Sequence, residues 1–562
     1  MSYHPASHVK APAEFRSNTP DRFEVSEVVR ELETPMRDGV VLRSDLYTPK
    51  GCDRAPLVLV RVPYGRATPA MGYKQLGQFW ARKGYACVVQ DVRGKFSSDG
   101  VFEPLINERQ DGYDTVEWMS RQPWCNGRVG MWGESYYGFT SLAAAVDAPP
   151  ALVCIAPGDI ATDRHKVWFR QGAFVMNTIG AWAIAMDAPG FADLSTVDWW
   201  HLPLVEMATA AGHQGRFFRT LIDHVDDAEW FAARGLRDKL DQIKIPALLW
   251  TGWYDNYTEQ LLEDFEILQR VSPHPETVHL MAGPWDHEGT AGAADRAVCV
   301  KLPSTEAHRW TAFQMFFDRY LMQIDNGFGA SGRVEYFTIG ENRWQSSDTW
   351  PPKSMKSVPF YLRSNGLLSS ERPNGMEEPD RYSYDPNDPV ADTFGRNCWA
   401  LCTELGDRRG IENRPDVVCY MGEVLAKDIE LTGPIKAVLH VESSAVDTDI
   451  TVALVDVFPD GTANQIQDGI IRAAYRDDEY RPTPITPGRI YEYVINMAAT
   501  SYLVKAGHRI RVDISSSCFN RYDRNTNTGE KYGHASRTEV AHQAIHHSDV
   551  SPSHILLPTV AG

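Results

Sequence analysis

The stretch Arg128-Val-Gly-Met-Trp-Gly-Glu-Ser-Tyr-Tyr-Gly-Phe-Thr140 decides the fold. An apolar run from Val129 to Trp132 leads into Gly-x-Ser, and Ser141-Leu-Ala-Ala-Ala-Val146 continues with helical character. The pattern reads strand, sharp turn, helix, with Ser135 at the turn. Such a turn strains the serine backbone and lifts its Oγ above the end of a sheet. The helix N-terminus behind it favours developing negative charge. Gly133 relieves crowding before the serine. The usual spacing is Gly-x-Ser-x-Gly, but here the second glycine stands one place late, at Gly138. Gly-x-Ser also arises by chance in long chains, so the rest of a nucleophilic site has to be sought in other stretches.

Outward from Ser135, strands alternate with helices. Residues 25–32 and 40–47 read as a hairpin around Asp38-Gly39. Residues 56–63 and 85–91 are continuous apolar runs, as in strands covered on both faces. Residues 79–83 read as a helix end closed by Gly84, residues 108–120 as a helix and 151–156 as a further strand. This alternation predicts an α/β fold with a mostly parallel sheet. From 160 to 240 it stops: Trp168, Phe169, Phe174, Met176, Ile179, Trp182 and Ile184 recur at helical spacing with no clear strand. The segment is expected to form a helical cap over the strand ends. The sheet resumes at 245–251 and 277–282, followed by an amphipathic helix over 308–322. Beyond 335, β-rich runs at 334–339, 358–362, 437–443, 449–457, 489–495 and 508–516 are separated by Gly, Pro, Asn and Asp. They predict an all-β sandwich.

Composition narrows the function. The 562 residues carry a net charge of -18, which disfavours nucleic acid and membrane surfaces as partners. With 43% hydrophobic residues and 16 tryptophans, the chain can build large cores. Its nine cysteines are odd in number and widely spaced, and only Cys398 and Cys402 lie close together. Reduced thiols in a cytoplasmic protein are expected, with no zinc site. The first residues lack an apolar signal core, and no apolar run is long enough to span a bilayer.

An activated serine needs a base, and the base needs an orienting carboxylate. In doubly wound hydrolases the chain order is serine, acid, histidine, each on a loop at the C-terminal end of the sheet. After the strand ending at Thr251 comes Gly252-Trp-Tyr-Asp-Asn-Tyr257, which puts Asp255 at a strand end. After the next strand comes Gly283-Pro-Trp-Asp-His-Glu-Gly289, which does the same for His287. Alone, Asp255 reads as a turn residue and His287 as one of 17 histidines. Their order and their places on successive strand ends favour an acid and a base. Asp286 and Glu288 are rival carboxylates, ranked lower because sequence neighbours seldom point at one another. For the oxyanion, the amide of Tyr136 follows the nucleophile. The phenol of Tyr64, in Arg61-Val-Pro-Tyr-Gly-Arg66, is a second candidate donor, although on these residues alone an ordinary turn is the better reading of that loop.

As a set, these stretches resemble the cocaine esterase and X-Pro dipeptidyl-peptidase family. The resemblance rests on Pro63-Tyr-Gly-Arg66, Asp91-Val-Arg-Gly94, Asp111-Gly-Tyr-Asp-Thr-Val-Glu-Trp118, Gly133-Glu-Ser-Tyr-Tyr-Gly138, Gly252-Trp-Tyr-Asp255 and Gly283-Pro-Trp-Asp-His287. Tyr384-Asp-Pro-Asn-Asp-Pro389, Leu431-Thr-Gly-Pro434 and Asp468-Gly-Ile-Ile-Arg472 extend it towards the C-terminus. It implies Ser135 as nucleophile, His287 as base and Asp255 as orienter, with Tyr64 and Tyr136 forming the oxyanion hole. It also implies an α/β-hydrolase domain over 21–159 and 241–335, preceded by a flexible arm over 1–20. A helical cap over 160–240 and a jelly-roll, galactose-binding-like β-sandwich over 336–562 complete the expected architecture. No metal or organic cofactor is implied. X-Pro peptidases carry an additional N-terminal domain, for which this chain leaves no room. The α-amino-acid ester hydrolases of the family are typically secreted and hold a substrate ammonium with carboxylates two and three residues beyond the catalytic aspartate. Here those positions are Tyr257 and Thr258. An aromatic residue at 257 resembles the cocaine esterase type, where it lines an apolar acyl pocket. Trp168 and Phe169 are candidate walls, with core packing as the competing fate.

The expected function is a cytoplasmic serine hydrolase acting on small-molecule carboxylic esters, and on amides as the alternative, with an apolar or aromatic acyl group. The alternatives are an amidase, a dipeptidyl-peptidase or an α-amino-acid ester hydrolase or acyltransferase of the same family. More remote is a noncatalytic protein whose β-sandwich binds sugar. A homo-oligomer is left open.

Overall fold

The computed structural model describes residues 15–287, 302–393 and 406–560. Cys398, Cys402 and Glu288 therefore lie outside the described residues. Ten strands form the first sheet: β1 (Val29–Pro35), β2 (Val41–Tyr47), β3 (Ala55–Val62), β4 (Ala86–Asp91), β5 (Cys125–Glu134), β6 (Leu152–Gly158), β9 (Ala247–Gly252), β10 (Val278–Gly283), β11 (Val334–Thr338) and β12 (Arg343–Ser347). The intervening β7 (Phe169–Arg170) and β8 (Ala173–Phe174) form a separate small hairpin.

The order across the sheet is β1-β2-β4-β3-β5-β6-β9-β10-β11-β12. The pairings from β4 to β11 are parallel. The hairpin at one edge and β12 at the other are antiparallel. Strands β3, β4, β9 and β10 are buried at every position, because helices cover the sheet. Those helices are α1 (Tyr73–Arg82), α2 (Glu108–Ser120), α3 (Ser135–Val146), α9 (Thr258–Val271) and α10 (Glu306–Tyr320). Phe79 and Trp80 of α1 meet Trp310 and Phe317 of α10 at ring separations of 5.1 and 5.2 Å.

Between β6 and β9 the chain rises into short helices: α4 (Arg164–Trp168), α5 (Ala181–Met186), α6 (Met207–Ala210), α7 (Arg216–Asp223) and α8 (Ala228–Arg234). The segment is helical as expected, with one correction. Phe169 and Phe174 lie on the β7–β8 hairpin, directly paired, and not on a helix. Gly172 makes the turn at φ +89°, which ends the helical run.

Two further expectations are corrected. Residues 15–20 do not form a loose arm: Phe15 packs on Trp310 at 4.6 Å, and the Asn18 amide donates to Thr311 Oγ1 at 2.8 Å. The boundary expected after 335 falls inside β11. The connection through α10 returns the chain beside β10, so the first sheet extends to Ser347. A β-rich run announces a strand but not the sheet it joins.

The C-terminal region is all-β, with 11 strands among the described residues: β13 (Met355–Arg363), β14 (Leu367–Ser369), β15 (Asp380–Tyr384), β16 (Val418–Met421), β17 (Ile429–Ser443), β18 (Asp449–Val457), β19 (Ala463–Arg472), β20 (Tyr491–Val504), β21 (Arg509–Ser515), β22 (Ala541–His546) and β23 (His554–Val560). From Leu431, β17 mostly alternates buried with more exposed positions, the pattern of a strand with one face on a core. β19 is buried throughout although it ends the ladder, because part of it faces the rest of the chain. Its Gln467 donates to the carbonyl of Trp253, next to the Asp255 turn, at 2.9 Å. Among the described residues, no helix is long and apolar enough to cross a membrane.

Candidate active site

Ser135 sits where β5 gives way to α3, with φ +53°, a left-handed backbone value that costs a non-glycine residue on the order of 1–3 kcal/mol. The surroundings hold it there. A Cβ at Gly133 would come within 2.2 Å of the Tyr137 carbonyl oxygen. One at Gly138 would come within 2.8 Å of the Gly158 carbonyl oxygen. The second glycine is thus placed where α3 crosses the end of β6, which accounts for its late position.

Asp255 and His287 follow β9 and β10, which pair in register from Ala247↔Val278 to Gly252↔Gly283. Their loops are tied by main-chain bonds from Trp253 N to Gly283 O and from Tyr254 N to Trp285 O, both 2.9 Å. Gly252 permits this contact, since a Cβ there would lie 2.1 Å from the Trp285 carbonyl oxygen. His287 Nδ1 faces Asp255 Oδ2 at 2.5 Å, and Nε2 faces Ser135 Oγ at 2.9 Å. Asp255 is fully buried, and its other oxygen accepts the Tyr257 amide at 2.5 Å. The three side chains form one connected relay. Asp286 is not the carboxylate on Nδ1.

The pKa of His287 reflects opposing effects. Burial disfavours the imidazolium, but the Asp255 carboxylate outweighs it with help from Glu134 and Asp286, and the net shift is upward from 6.5. Glu134 precedes the serine and accepts from the Tyr137 hydroxyl. Burial raises its own pKa, while that hydrogen bond and Arg309 oppose the rise.

Tyr64 follows β3 in a loop fixed from below. The Arg66 amide donates to Asp91 Oδ1 at 2.7 Å, and Thr68 Oγ1 donates to the Tyr64 carbonyl at 3.0 Å. Asp91 in turn opens the Asp-Val-Arg-Gly stretch, whose Arg93 forms a fork with Asp111 at 3.0 and 2.6 Å. These shared motifs therefore pair with one another and hold the loops. The Tyr64 hydroxyl accepts from Trp182 Nε1 at 3.2 Å, which commits an oxygen lone pair and keeps the O–H as a donor. The Tyr136 amide lies in the first turn of α3, where N–H groups have no acceptor within the helix. Its side chain points away, its hydroxyl donating to Glu108 Oε1 at 2.9 Å and accepting from the Leu105 amide at 3.0 Å.

The Tyr257 ring lies 5.2 Å from the His287 ring, at the edge of the relay. Trp168 and Phe169 are placed differently from the expected pocket walls. Trp168 packs on Phe217, Trp230 and Phe231 within the cap. Phe169 meets Phe174, Phe231 and Tyr532. Helical spacing marks a residue as buried, but not against which neighbour. Trp182, stacked 5.9 Å from Tyr136 and bonded to Tyr64, is a cap aromatic at the site, as is Phe191, stacked on Tyr64 at 6.2 Å, and only their contacts distinguish them. Glu134 was likewise not legible, being the unspecified position of the serine motif. Among the described residues, no group of three or more His, Cys, Asp or Glu side chains is arranged to hold a metal ion.

Comparison with known proteins gives this site a family. Residues 38–289 match the family model of the X-Pro dipeptidyl-peptidase (S15 family). Residues 326–556 match that of the X-Pro dipeptidyl-peptidase C-terminal non-catalytic domain. Over 582 residues the chain is 36% identical to the cocaine esterase of Rhodococcus sp. (strain MB1 Bresler), covering 95% of this chain and 98% of that one. The chain belongs to the X-Pro dipeptidyl-peptidase (S15) family. It is a hydrolase of the serine peptidase/esterase type. A putative serine esterase of Mycobacterium bovis is 28% identical, with 86% of this chain and 89% of that one covered. Among solved structures, an α-amino acid ester hydrolase superposes with a TM-score of 0.84 at 26% identity, covering 95% of this chain and 97% of that one. An aminopeptidase from a marine sediment Thaumarchaeota archaeon gives 0.82 at 26%, covering 97% and 99%.

Proposed function

We propose that this S15 hydrolase cleaves carboxylic esters with an apolar or aromatic acyl group, using Ser135 as nucleophile, His287 as general base and Asp255 as its orienter. The relay from Asp255 through His287 to Ser135 Oγ, at 2.5 and 2.9 Å, carries the reading. Ser135 Oγ attacks the ester carbonyl as its proton passes to His287 Nε2. Asp255 holds the imidazole with Nδ1–H pointing at itself and stabilises the imidazolium. The oxyanion accepts from the Tyr136 amide and the Tyr64 hydroxyl. The imidazolium returns its proton to the departing alkoxide. Water, deprotonated by the same nitrogen, then releases the acid from the acyl-enzyme and restores Ser135. Tyr257 and Trp182 flank the relay with aromatic surface, and the esterase relatives favour ester substrates.

An amide or peptide substrate is the second reading, favoured by the superposition on an aminopeptidase. Against it, Tyr257 and Thr258 supply no carboxylate for a free amino group. Paired ester and amide substrates of one acyl group separate the two, with the ester turned over faster. In the same assay Ser135→Ala is expected to lose ester hydrolysis and labelling by a fluorophosphonate. Full ester turnover by Ser135→Ala would refute the assignment.

A further inference from the structure

A buried cation stands beside this site and forms no ion pair among the described residues, although Asp163 and Asp264 lie near enough to act on it through space. Arg164 is the first residue of α4, in the segment following β6, and β6 lies between the strands that lead to Ser135 and Asp255. Its residue is 3% exposed, and Nε and Nη2 are buried with no hydrogen-bond partner. The neighbouring carboxylates are engaged elsewhere. Asp163 accepts from the Lys166 amide at 3.2 Å. Asp264 accepts from the Thr162 amide at 2.6 Å and pairs with Arg237 at 3.0 Å. Other buried arginines are matched: Arg61, Arg170, Arg408 and Arg472 meet carboxylates at 2.9, 2.7, 2.7 and 2.8 Å. Arg309 also lacks an ion pair, but tryptophan faces enclose it, with Trp285 at 5.0 Å.

Arg164 lies against two rings near the relay. Its Cζ lies 5.2 Å from the Phe139 ring, one turn of α3 beyond Ser135, and 5.9 Å from the Tyr257 ring, which itself borders His287. Taking a guanidinium out of water without an anion is strongly unfavourable, and the group stays charged at any working pH. Burial accordingly pushes its pKa below the ordinary value. The planar fork of N–H donors matches a carboxylate. A cation left unpaired at a substrate site is complementary to an anion that arrives with the substrate.

We infer that Arg164 binds a carboxylate on the acyl group, so that the preferred substrates are half-esters of dicarboxylic acids, aromatic ones foremost. This inference rests on the ester-hydrolase reading of Ser135 and on Tyr257 bordering the acyl group. Hydrolysis then takes one half-ester and one water to one dicarboxylate and one alcohol. The remote carboxylate stays on Arg164 through the acyl-enzyme, and the rings of Phe139 and Tyr257 hold the carbon frame between the two ends.

The test measures kcat/KM of the full-length protein for monoethyl terephthalate and monoethyl adipate against ethyl benzoate and ethyl hexanoate. The half-esters are expected to be preferred at least tenfold. Arg164→Leu should cut that ratio tenfold or more, chiefly through KM, and Arg164→Lys should keep part of it. A ratio near one in the parent protein, or a ratio unmoved in Arg164→Leu, would overturn the inference. Calorimetric binding of monoethyl terephthalate and ethyl benzoate to Ser135→Ala separates this from failure of the hydrolase reading. Tighter binding of the half-ester, lost in the Ser135→Ala/Arg164→Leu protein, supports the carboxylate site even if no ester is turned over. Equal binding of both overturns it.

Discussion

The proposed chemistry draws on the hydroxyl of Tyr64 and the carboxyl of Glu134 in different ways. Tyr64 receives the Trp182 indole N–H, and Tyr64→Phe removes its O–H donor while leaving the ring in place. If that donor serves the oxyanion, turnover falls on the order of 10²–10³ with little change in KM. Steady-state kinetics on one ester decides this, and near-parental kcat would exclude the role. Glu134 contributes negative charge beside His287, whose pKa stands above its ordinary 6.5. A base with a raised pKa stays protonated to higher pH, so activity rises through an apparent pKa above that value and is lost below it. Glu134→Gln removes part of the charge that stabilises the imidazolium, so the acid limb of the kcat/KM profile should move to lower pH. An unmoved or raised limb would show that Glu134 does not act on His287. Nothing in the sequence singled out Trp182 among the cap aromatics or gave Glu134 a role beside the serine, because the influence of each comes through a contact distant in the chain.

At the level of elements, the relay depends on two adjacent loops staying in register. Gly252 and Trp285 touch because Gly252 has no side chain. Gly252→Ala should therefore spread the loops after β9 and β10, costing about 1–3 kcal/mol of stability. A displacement of about 1 Å between Asp255 and His287 would lower kcat on the order of 10²-fold. Thermal unfolding and kcat, measured on the same preparation, check both effects, and unchanged kcat would mean that the loops hold without this contact. The succession of strands along the chain, the serine turn and the approximate bounds of α2 and α10 were legible, because apolar periodicity and turn residues are local signals. The β7–β8 hairpin was not, since two-residue strands are too short to show a period. Nor was the sheet to which β11 belongs, which a crossover decides.

Across the whole molecule, the β-rich region bonds to the loop that carries Asp255. Gln467 of β19 bonds the carbonyl of Trp253 and that of Ala499, at 2.9 and 2.8 Å. The Leu503 amide bonds Ile339 just beyond β11 at 2.8 Å. Gln467→Leu leaves those two carbonyls without this donor, at about 1–3 kcal/mol each. Because one of them adjoins the Asp255 turn, kcat should also fall, on the order of tenfold. A loss of stability with kcat unchanged would show that the region supports the fold but not the site. The cap is joined to the same region, with Arg472 held by Asp449 and Asp523 at 2.8 and 3.1 Å and the Phe174 amide donating to Asp523 at 2.9 Å.

The sequence by itself determined the α/β architecture, the order of serine, acid and histidine, and the strand ends on which they would stand. These follow from periodicity and chain order, which are properties of neighbouring residues. The tertiary structure alone decided which aromatic rings border the relay, that Trp168 packs within the cap while Phe169 also meets Tyr532 of the β-rich region, and that Arg164 Nε and Nη2 lack hydrogen-bond partners beside Tyr257. Such outcomes depend on side-chain direction and on surfaces far apart in the chain. A buried guanidinium and a paired one look alike in a sequence, and only packing shows which of them lacks an anion.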